Sequence, residues 1–174
     1  MKNTPLVDIQ NLSVQFKNNA KLDYAVQYIS FTIKKGEAVG LVGESGSGKS
    51  ITALAVIGLL PAQAIISSGK ILYGNQDLLK LDEQSRRSYR GHKISMIFQE
   101  PMTALNPVIT CGEQVAEIIQ LHQRMGNKMV YQQVISLFKK VNLPRPEDIY
   151  NAYPHQISGG QKQRVMIAPV SYTH

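Results

Sequence analysis

The feature that most constrains this chain is a glycine-rich segment at residues 43–50, GESGSGKS, which fits the pattern G-x-x-x-x-G-K-[ST]. The apolar run AVGLV at residues 38–42 precedes it and is typical of a strand buried on both faces. Residues 49–60 follow with many good helix formers and stop at Pro61. Strand, loop and helix in this order are the context that a phosphate-binding loop requires, so we expect an α/β fold.

The residue types of this loop explain why it would hold a nucleoside triphosphate. Glycines let successive backbone N–H groups turn inward around an anion, and the following helix presents its positive end. Lys49 is expected to reach the β- and γ-phosphates, and the Ser50 hydroxyl to ligate Mg²⁺. The expected binding residues are Gly43, Glu44, Ser45, Gly46, Ser47, Gly48, Lys49 and Ser50. A chance glycine turn is the alternative, and the loop alone leaves kinases, GTPases and motor ATPases open.

Composition limits the class of protein further. With 174 residues, 43% of them hydrophobic and 18% charged, we expect one globular domain. No apolar stretch reaches the roughly 18 to 20 residues of a membrane span, and the N-terminus lacks the apolar region of a secretory signal. Cys111 is the only cysteine, which excludes an internal disulfide and fits a reducing, cytoplasmic compartment. We expect Cys111 to be a small half-buried residue.

The net charge of +7 does not select a partner. The basic residues are scattered, without a run of five or more and without interleaved aromatic residues. We therefore expect solvated basic faces and no nucleic-acid partner.

Hydrophobic periodicity divides the rest of the chain into a strand-rich and a helix-rich part. Strands are predicted at residues 7–16, 28–33, 71–73 and 94–98, the first two as an antiparallel pair. Helices are predicted at residues 113–123, 128–141 and 161–168, the first two forming a separate helical block. Pro144, Pro146 and Pro154 indicate a loop before the last helix.

Two further segments carry chemistry. Residues 157–165, ISGGQKQRV, place Ser158 as a good N-cap before two glycines that permit close backbone approach. The N-terminus of the helix that follows is a second candidate phosphate-binding site, and the alternative is a plain helix cap. Residues 98–101 are FQEP, in which Gln99 by itself would be an ordinary polar residue at a strand end.

Together these segments resemble the ATP-binding subunits of ABC importers for bacterial oligopeptides and dipeptides, with nickel importers close by. Residues 157–165 resemble the ABC signature and residues 98–101 the Q-loop, and the resemblance runs from residue 6 to 168. It implies a P-loop NTPase fold of ABC type. Residues 1–110 would be an antiparallel β subdomain with the P-loop core, and residues 111–168 the helical subdomain with the signature.

The resemblance also implies residue roles. Phe16 would stack on adenine, with Tyr24 as the runner-up and a core aromatic as the alternative for Phe16. Gln99 would ligate Mg²⁺ or the attacking water and move with the membrane partner. Ser158, Gly159, Gly160 and Gln161 would close on ATP held by the opposing subunit, and His155 would be a loop residue near the signature.

The implied function is ATP binding and hydrolysis, with Mg²⁺, that powers import of short peptides at the cytoplasmic face of the bacterial inner membrane. The implied partners are a second ATP-binding subunit, membrane permease subunits and, indirectly, a substrate-binding protein. A soluble ABC ATPase without a transporter and an inactive fragment are the alternatives.

The sequence departs from the family after Ala168. The family continues into a strand with the Walker B aspartate and the catalytic glutamate, whereas residues 169–174, PVSYTH, resemble no part of it. Pro169 is expected to end the signature helix, and Glu100 does not replace the catalytic base. We therefore expect a chain truncated after the signature, which binds nucleotide poorly and lacks the residues for hydrolysis.

Overall fold

The computed structural model describes residues 4–18, 21–90, 92–98, 104–122 and 125–170. They belong to two compact units, residues 1–90 and residues 91–174. The predicted subdomain boundary at residue 110 and the separate tail at residues 169–174 stay predictions.

The first unit is built on a four-stranded antiparallel sheet with the order β2-β1-β3-β4. Its elements are β1 (Val7–Asn18), β2 (Lys21–Ile33), α1 (Lys49–Ile57), β3 (Ala64–Tyr73), β4 (Gln76–Asp77), a 3₁₀ turn (Leu78–Lys80) and α2 (Glu83–Tyr89). The predicted antiparallel pair is confirmed, although β2 begins before the expected residue 28 and β3 before the expected residue 71. Ile9, Leu12, Val14 and Ile71 form the buried face of this sheet.

The strand pairing is irregular at one position along the sheet, where β1, β2 and β3 lie side by side. Asn11 and Tyr28 adopt left-handed backbone conformations, with φ of 48° and 50°. The Asn11 N–H donates to Ser30 Oγ at 2.8 Å, and the Tyr28 N–H donates to Ser13 Oγ at 3.0 Å. On β3, Gly69 has a φ of 103°, and a Cβ there would lie 2.7 Å from the Asn11 carbonyl oxygen. Side-chain hydroxyls thus replace ladder partners where the register shifts.

The prediction of a buried strand at residues 38–42 is wrong. These residues form no regular secondary structure, and Val42 is 90% exposed. The four strands among the described residues all belong to the antiparallel sheet, so none of them pairs with this segment. A strand buried on both faces needs neighbouring strands for its backbone groups and covering elements for its side chains, and apolar character alone supplies neither.

The helix after the glycine loop is shorter than predicted. It ends at Ile57 because Gly58 adopts a left-handed conformation, with φ of 70°, and its N–H caps the Ala55 carbonyl oxygen. Gly58 therefore stops the helix before the predicted end at Leu60.

The second unit confirms the predicted helical block. Its helices are α3 (Cys111–His122), α4 (Asn127–Lys140), α5 (Pro146–Asn151) and α6 (Gly159–Ile167), with a 3₁₀ turn (Pro154–Gln156). Cys111 lies in a core with Val115, Ile119 and Phe138, and is fully buried instead of half-buried. Burial raises the pKa of the Cys111 thiol, which keeps it protonated and unreactive.

Two expectations for this unit fail. The described residues 92–98 contain no strand at the predicted positions 94–98, and Ile97 and Phe98 are exposed. The expected loop around Pro144, Pro146 and Pro154 contains helix α5, in whose first turn Pro146 lies. Proline there has no N–H that the helix needs, so it starts the helix instead of breaking it. Within the described ranges, no helix is long and apolar enough to span a membrane.

The left-handed Tyr28 generates a stability prediction. A non-glycine residue in this region costs roughly 1–2 kcal/mol, and the Tyr28 side chain is 61% exposed, so little packing is lost on its removal. We expect Tyr28→Gly to raise the free energy of unfolding by about 1 kcal/mol in urea titrations. The matched control is Tyr24→Gly, an exposed tyrosine of the same strand outside the left-handed region, which should lower it. A loss of stability in both variants would contradict the strain at Tyr28.

Candidate functional site

The glycine loop is shaped by backbone conformations that favour glycine. Gly46 and Gly48 have φ of 82° and 85°, and Gly48 forms the N-cap of α1 without any side-chain cap. A Cβ at Gly48 would collide with the Ala25 carbonyl oxygen on β2. A Cβ at Gly43 would lie 2.6 Å from Ser47 Oγ. The glycines therefore allow both the turn of the loop and the close approach of α1 to the sheet.

Lys49 places a positive charge over this loop. Its Nζ donates hydrogen bonds to the carbonyl oxygens of Gly43 at 2.8 Å and Glu44 at 2.6 Å, and contacts Ser47 Oγ at 3.3 Å. The Ser47 N–H donates to the Glu44 carbonyl oxygen at 3.2 Å, which closes the turn. A cation, an uncapped helix N-terminus and a glycine turn meet here, which is the arrangement that binds phosphate groups.

The first turn of α1 carries the oxygen donor suited to Mg²⁺. Ser50 is exposed at the second position of the helix, and a hydroxyl is a hard oxygen ligand of the kind that Mg²⁺ accepts. Thr52 is buried, and its Oγ1 donates to the Gly48 carbonyl oxygen at 2.9 Å, which ties the loop to the helix. Thr52 was missed by the sequence analysis, although its position four residues after Gly48 is the signal for this bond. Among the described residues, no group of three or more His, Cys, Asp or Glu side chains is arranged to hold a metal.

The strand register distinguishes the two aromatic candidates. Phe16 lies opposite Asp23, Gln15 opposite Tyr24, and Val14 opposite Val26. Ala25 is therefore an extra residue on β2, and it breaks the alternation of side chains along that strand. Opposed residues share a face of the sheet, so Phe16 lies on the face of Val26 and Tyr24 on the other. A Cβ at Gly48 would lie 2.8 Å from a Val26 methyl group, so this is the face that meets the glycine loop.

The signature residues form the N-terminus of α6. Ser158 is the N-cap: its Oγ accepts from the Gln161 N–H at 3.3 Å, and its N–H donates to Gln161 Oε1 at 2.8 Å. This reciprocal capping confirms the predicted role of Ser158 as an N-cap. Gly159 and Gly160 are exposed, and a Cβ added at Gly160 would have nothing within 4 Å. The second unit itself therefore does not need a glycine at position 160 for space.

Beyond its exposed N-terminus, helix α6 is fixed to the rest of the second unit by packing and by a hydrogen bond. Val165 is completely buried in the helical core, and Arg164 Nη1 donates to the Asn142 carbonyl oxygen at 2.7 Å. The helix ends at Ile167, two residues before Pro169, as expected. His155 is exposed and stacks on Tyr153 with ring centroids 5.7 Å apart, which fits the predicted loop residue.

The predicted site residues thus fall into two groups. Phe16 and residues 43–50 belong to the first unit, and the signature residues 158–161 belong to the second. Gln99 and Glu100 lie outside the described residues.

The loop and its helix define a P-loop nucleotide-binding protein of the α/β class. The profile of one such family, described as ABC transporter, matches residues 26–174. The chain therefore belongs to the ABC transporter family of ATP-binding proteins. The fold agrees: the chain superimposes on the dimeric ATP-binding cassette MJ0796 bound to ADP and Pi with a TM-score of 0.83 and 28% identity, over 96% of this chain and 69% of that one.

Relatives identified by sequence share more of its residues. The peptidoglycan transport ATP-binding protein YejF of Agrobacterium fabrum is 48% identical over 94% of this chain, which spans 30% of YejF. The dipeptide and oligopeptide transport ATP-binding proteins DppD and AppD of Bacillus subtilis are 44% and 45% identical, again over 94% of this chain. The chain spans 49% of DppD and 50% of AppD, about half the length of these two relatives.

The geometry of Lys49 generates a binding prediction. Lys49→Ala removes the point charge that the loop offers to phosphate, so the affinity for ATP should fall by at least about tenfold, measured by titration with a fluorescent ATP analogue. The control is Lys35→Ala, which removes an exposed lysine from a turn of the same unit. Equal affinity of the Lys49 variant and the wild type would refute the phosphate-loop assignment.

Proposed function

We propose that the chain is part of an ABC-type ATPase subunit that binds and hydrolyses ATP to power the import of short peptides. The observation that carries this proposal is the glycine loop, in which Lys49 and the uncapped start of α1 converge on one anion site. Peptide as the class of cargo is supported by the names of the dipeptide and oligopeptide transport relatives. Whole-subunit activity rests on this similarity, because the chain spans only part of those relatives.

In the proposed site, residues 43–50 wrap the phosphates and Ser50 ligates Mg²⁺. Bound Mg²⁺ would supply charge neutralisation at the phosphate oxygens. Gln99 is proposed, from its motif, as the second metal ligand and the residue that orients the attacking water. Phe16 is proposed to stack on adenine, supported by its place on the sheet face of Val26, which contacts the glycine loop. The same register disfavours Tyr24.

The signature end of α6 is proposed to contact ATP held by a second ATP-binding subunit. Two features support this: Gly159 and Gly160 are exposed, and an added side chain at Gly160 would meet open space. The dimeric form of the related cassette supports a two-subunit assembly. Permease subunits and, indirectly, a substrate-binding protein complete the proposed importer, with this chain peripheral on the cytoplasmic side of the inner membrane. No nucleic-acid partner is proposed.

We also propose that the 174-residue chain alone binds nucleotide weakly and does not turn it over. Residues 38–42, which lead into the loop, make no strand hydrogen bonds and expose Val39, Leu41 and Val42. Because no strand pairing fixes residues 38–42, binding of ATP must order them together with the loop. This loss of conformational entropy lowers the affinity for ATP. Phosphate release above that of the Lys49→Ala variant would contradict this part of the proposal.

A glycine variant tests the sandwich mechanism. Gly160→Asp in a complete importer should lower ATP turnover about a hundredfold, because a carboxylate would face the partner's γ-phosphate. ATP affinity should remain unchanged, since the glycine loop is not altered. Folding should persist, because an aspartate fits the first turn of α6 and the site has room for it.

The matched control is Gly126→Asp, another exposed glycine at a helix start with nothing within 4 Å of an added Cβ. It should leave turnover unchanged. Normal turnover in the Gly160 variant would show that the signature does not meet a second nucleotide.

A further inference from the structure

One amide side chain holds the loop that precedes helix α3. Gln114 Oε1 accepts from the Asn106 N–H at 2.8 Å, and Gln114 Nε2 donates to the carbonyl oxygens of Asn106 at 3.0 Å and Ile109 at 2.8 Å. The Asn106 side chain also accepts from the Val108 N–H at 3.1 Å. A single side chain on α3 therefore satisfies backbone groups at both ends of the turn formed by residues 106–109.

The neighbouring residue reinforces this attachment. Glu113 accepts hydrogen bonds from the Thr110 N–H at 3.2 Å and the Thr110 hydroxyl at 2.8 Å, and the Glu113 N–H donates to Thr110 Oγ1 at 3.3 Å. The first turn of α3 thus binds the preceding loop through two consecutive side chains. Loop and helix behave as one body while these bonds are intact.

The same loop faces the signature helix across a cavity of about 310 Å³. Its apolar lining comes from the loop, from α3 and from α6: Leu105, Ile109, Val115, Ile118, Val165 and Met166. Val165 also packs with Val115 in the buried core of the unit. Leu105 of the loop packs against the same core, so α3 and the loop both support α6 through the core around Val165.

We propose that Gln114 is a positioning residue for the signature. By fixing residues 106–110 on α3, it holds Leu105 of the same loop against the core around Val165 and so orients the exposed N-terminus of α6. Gln114 does not touch nucleotide in this arrangement. The inference rests on the proposed function, because orientation of the signature matters for turnover only if Ser158 meets ATP of a second subunit.

Two substitutions separate positioning from simple packing. Gln114→Met keeps the length and bulk of the side chain but removes all of its hydrogen bonds. Gln114→Glu keeps the acceptor for the Asn106 N–H but places a carboxylate against two carbonyl oxygens. The control is Gln120→Met on the same helix, whose exposed side chain makes one long contact, of 3.4 Å, with Asn127 Oδ1.

The first measurement uses amide hydrogen exchange in the 174-residue chain. Exchange of the Asn106 N–H should accelerate about fivefold or more in Gln114→Met, because its acceptor is lost. The exchange rate of the Asn106 N–H should rise less in Gln114→Glu and should stay at the wild-type value in Gln120→Met. Unchanged exchange in Gln114→Met would overturn the attachment itself.

The second measurement uses a complete importer that carries this segment. In Gln114→Met, the maximal rate of ATP turnover should fall about fivefold or more while ATP affinity stays at the wild-type value, with Gln114→Glu in between. A thermal melt of each variant accompanies the assay, so a variant that has unfolded is identified and Gln114→Glu then decides.

The outcomes distinguish the two proposals. Faster Asn106 exchange with undiminished turnover would overturn the positioning role and leave the proposed function intact. If the wild-type importer shows no turnover that depends on Lys49, the proposed function fails and this inference fails with it.

Discussion

The close approach of the glycine loop to the antiparallel sheet is the contact on which the geometry of the candidate site depends. Gly48 lies so near the Ala25 carbonyl oxygen and Val26 that no side chain fits between them. This contact places the start of α1 against β2, and Thr52 fastens the first helical turn back to Gly48. Because Gly48 has no side chain, the positive N-terminal end of α1 and the charge of Lys49 can lie together at the glycine loop.

A bulge in the sheet, at Ala25 on β2, makes this contact possible. The extra residue at Ala25 brings its carbonyl to the loop and reverses the alternation of side chains along β2, so Tyr24 leaves the face that Val26 shares with Phe16. A regular strand would have placed Tyr24 on that face beside Phe16. A bulge of one residue thus leaves Phe16 as the only one of the two candidate aromatic residues on the sheet face that meets the glycine loop.

Local patterns predicted the parts of the fold that local interactions determine. The alternation of β1, the helical spacing of α3 and α4, the glycine loop and the Ser158 cap are encoded within short segments, and the structure contains all of them. The strands predicted at residues 38–42 and 94–98 are absent, because an apolar run becomes a strand only when other strands hydrogen-bond to it. The bulge at Ala25 and the left-handed Tyr28 depend on cross-strand register, which a single segment does not reveal. Gln114 was missed because a glutamine in a helix gives no sign of which loop it binds.

The two helix starts for which phosphate contacts are proposed, those of α1 and α6, differ in a way that suits their proposed roles. At α1 no side chain caps the N-terminus, and Lys49 adds a full charge, so an anion gains both hydrogen bonds and Coulomb attraction. At α6 the Ser158 hydroxyl already accepts from the Gln161 N–H through a long bond of 3.3 Å, and the described first turn carries no cation until Lys162. A phosphate must displace this cap at α6, whereas no side-chain cap stands in its way at α1, so it gains less free energy at α6. The first end therefore suits the proposed tight hold on nucleotide, and the second suits the proposed reversible contact with the nucleotide of a second subunit.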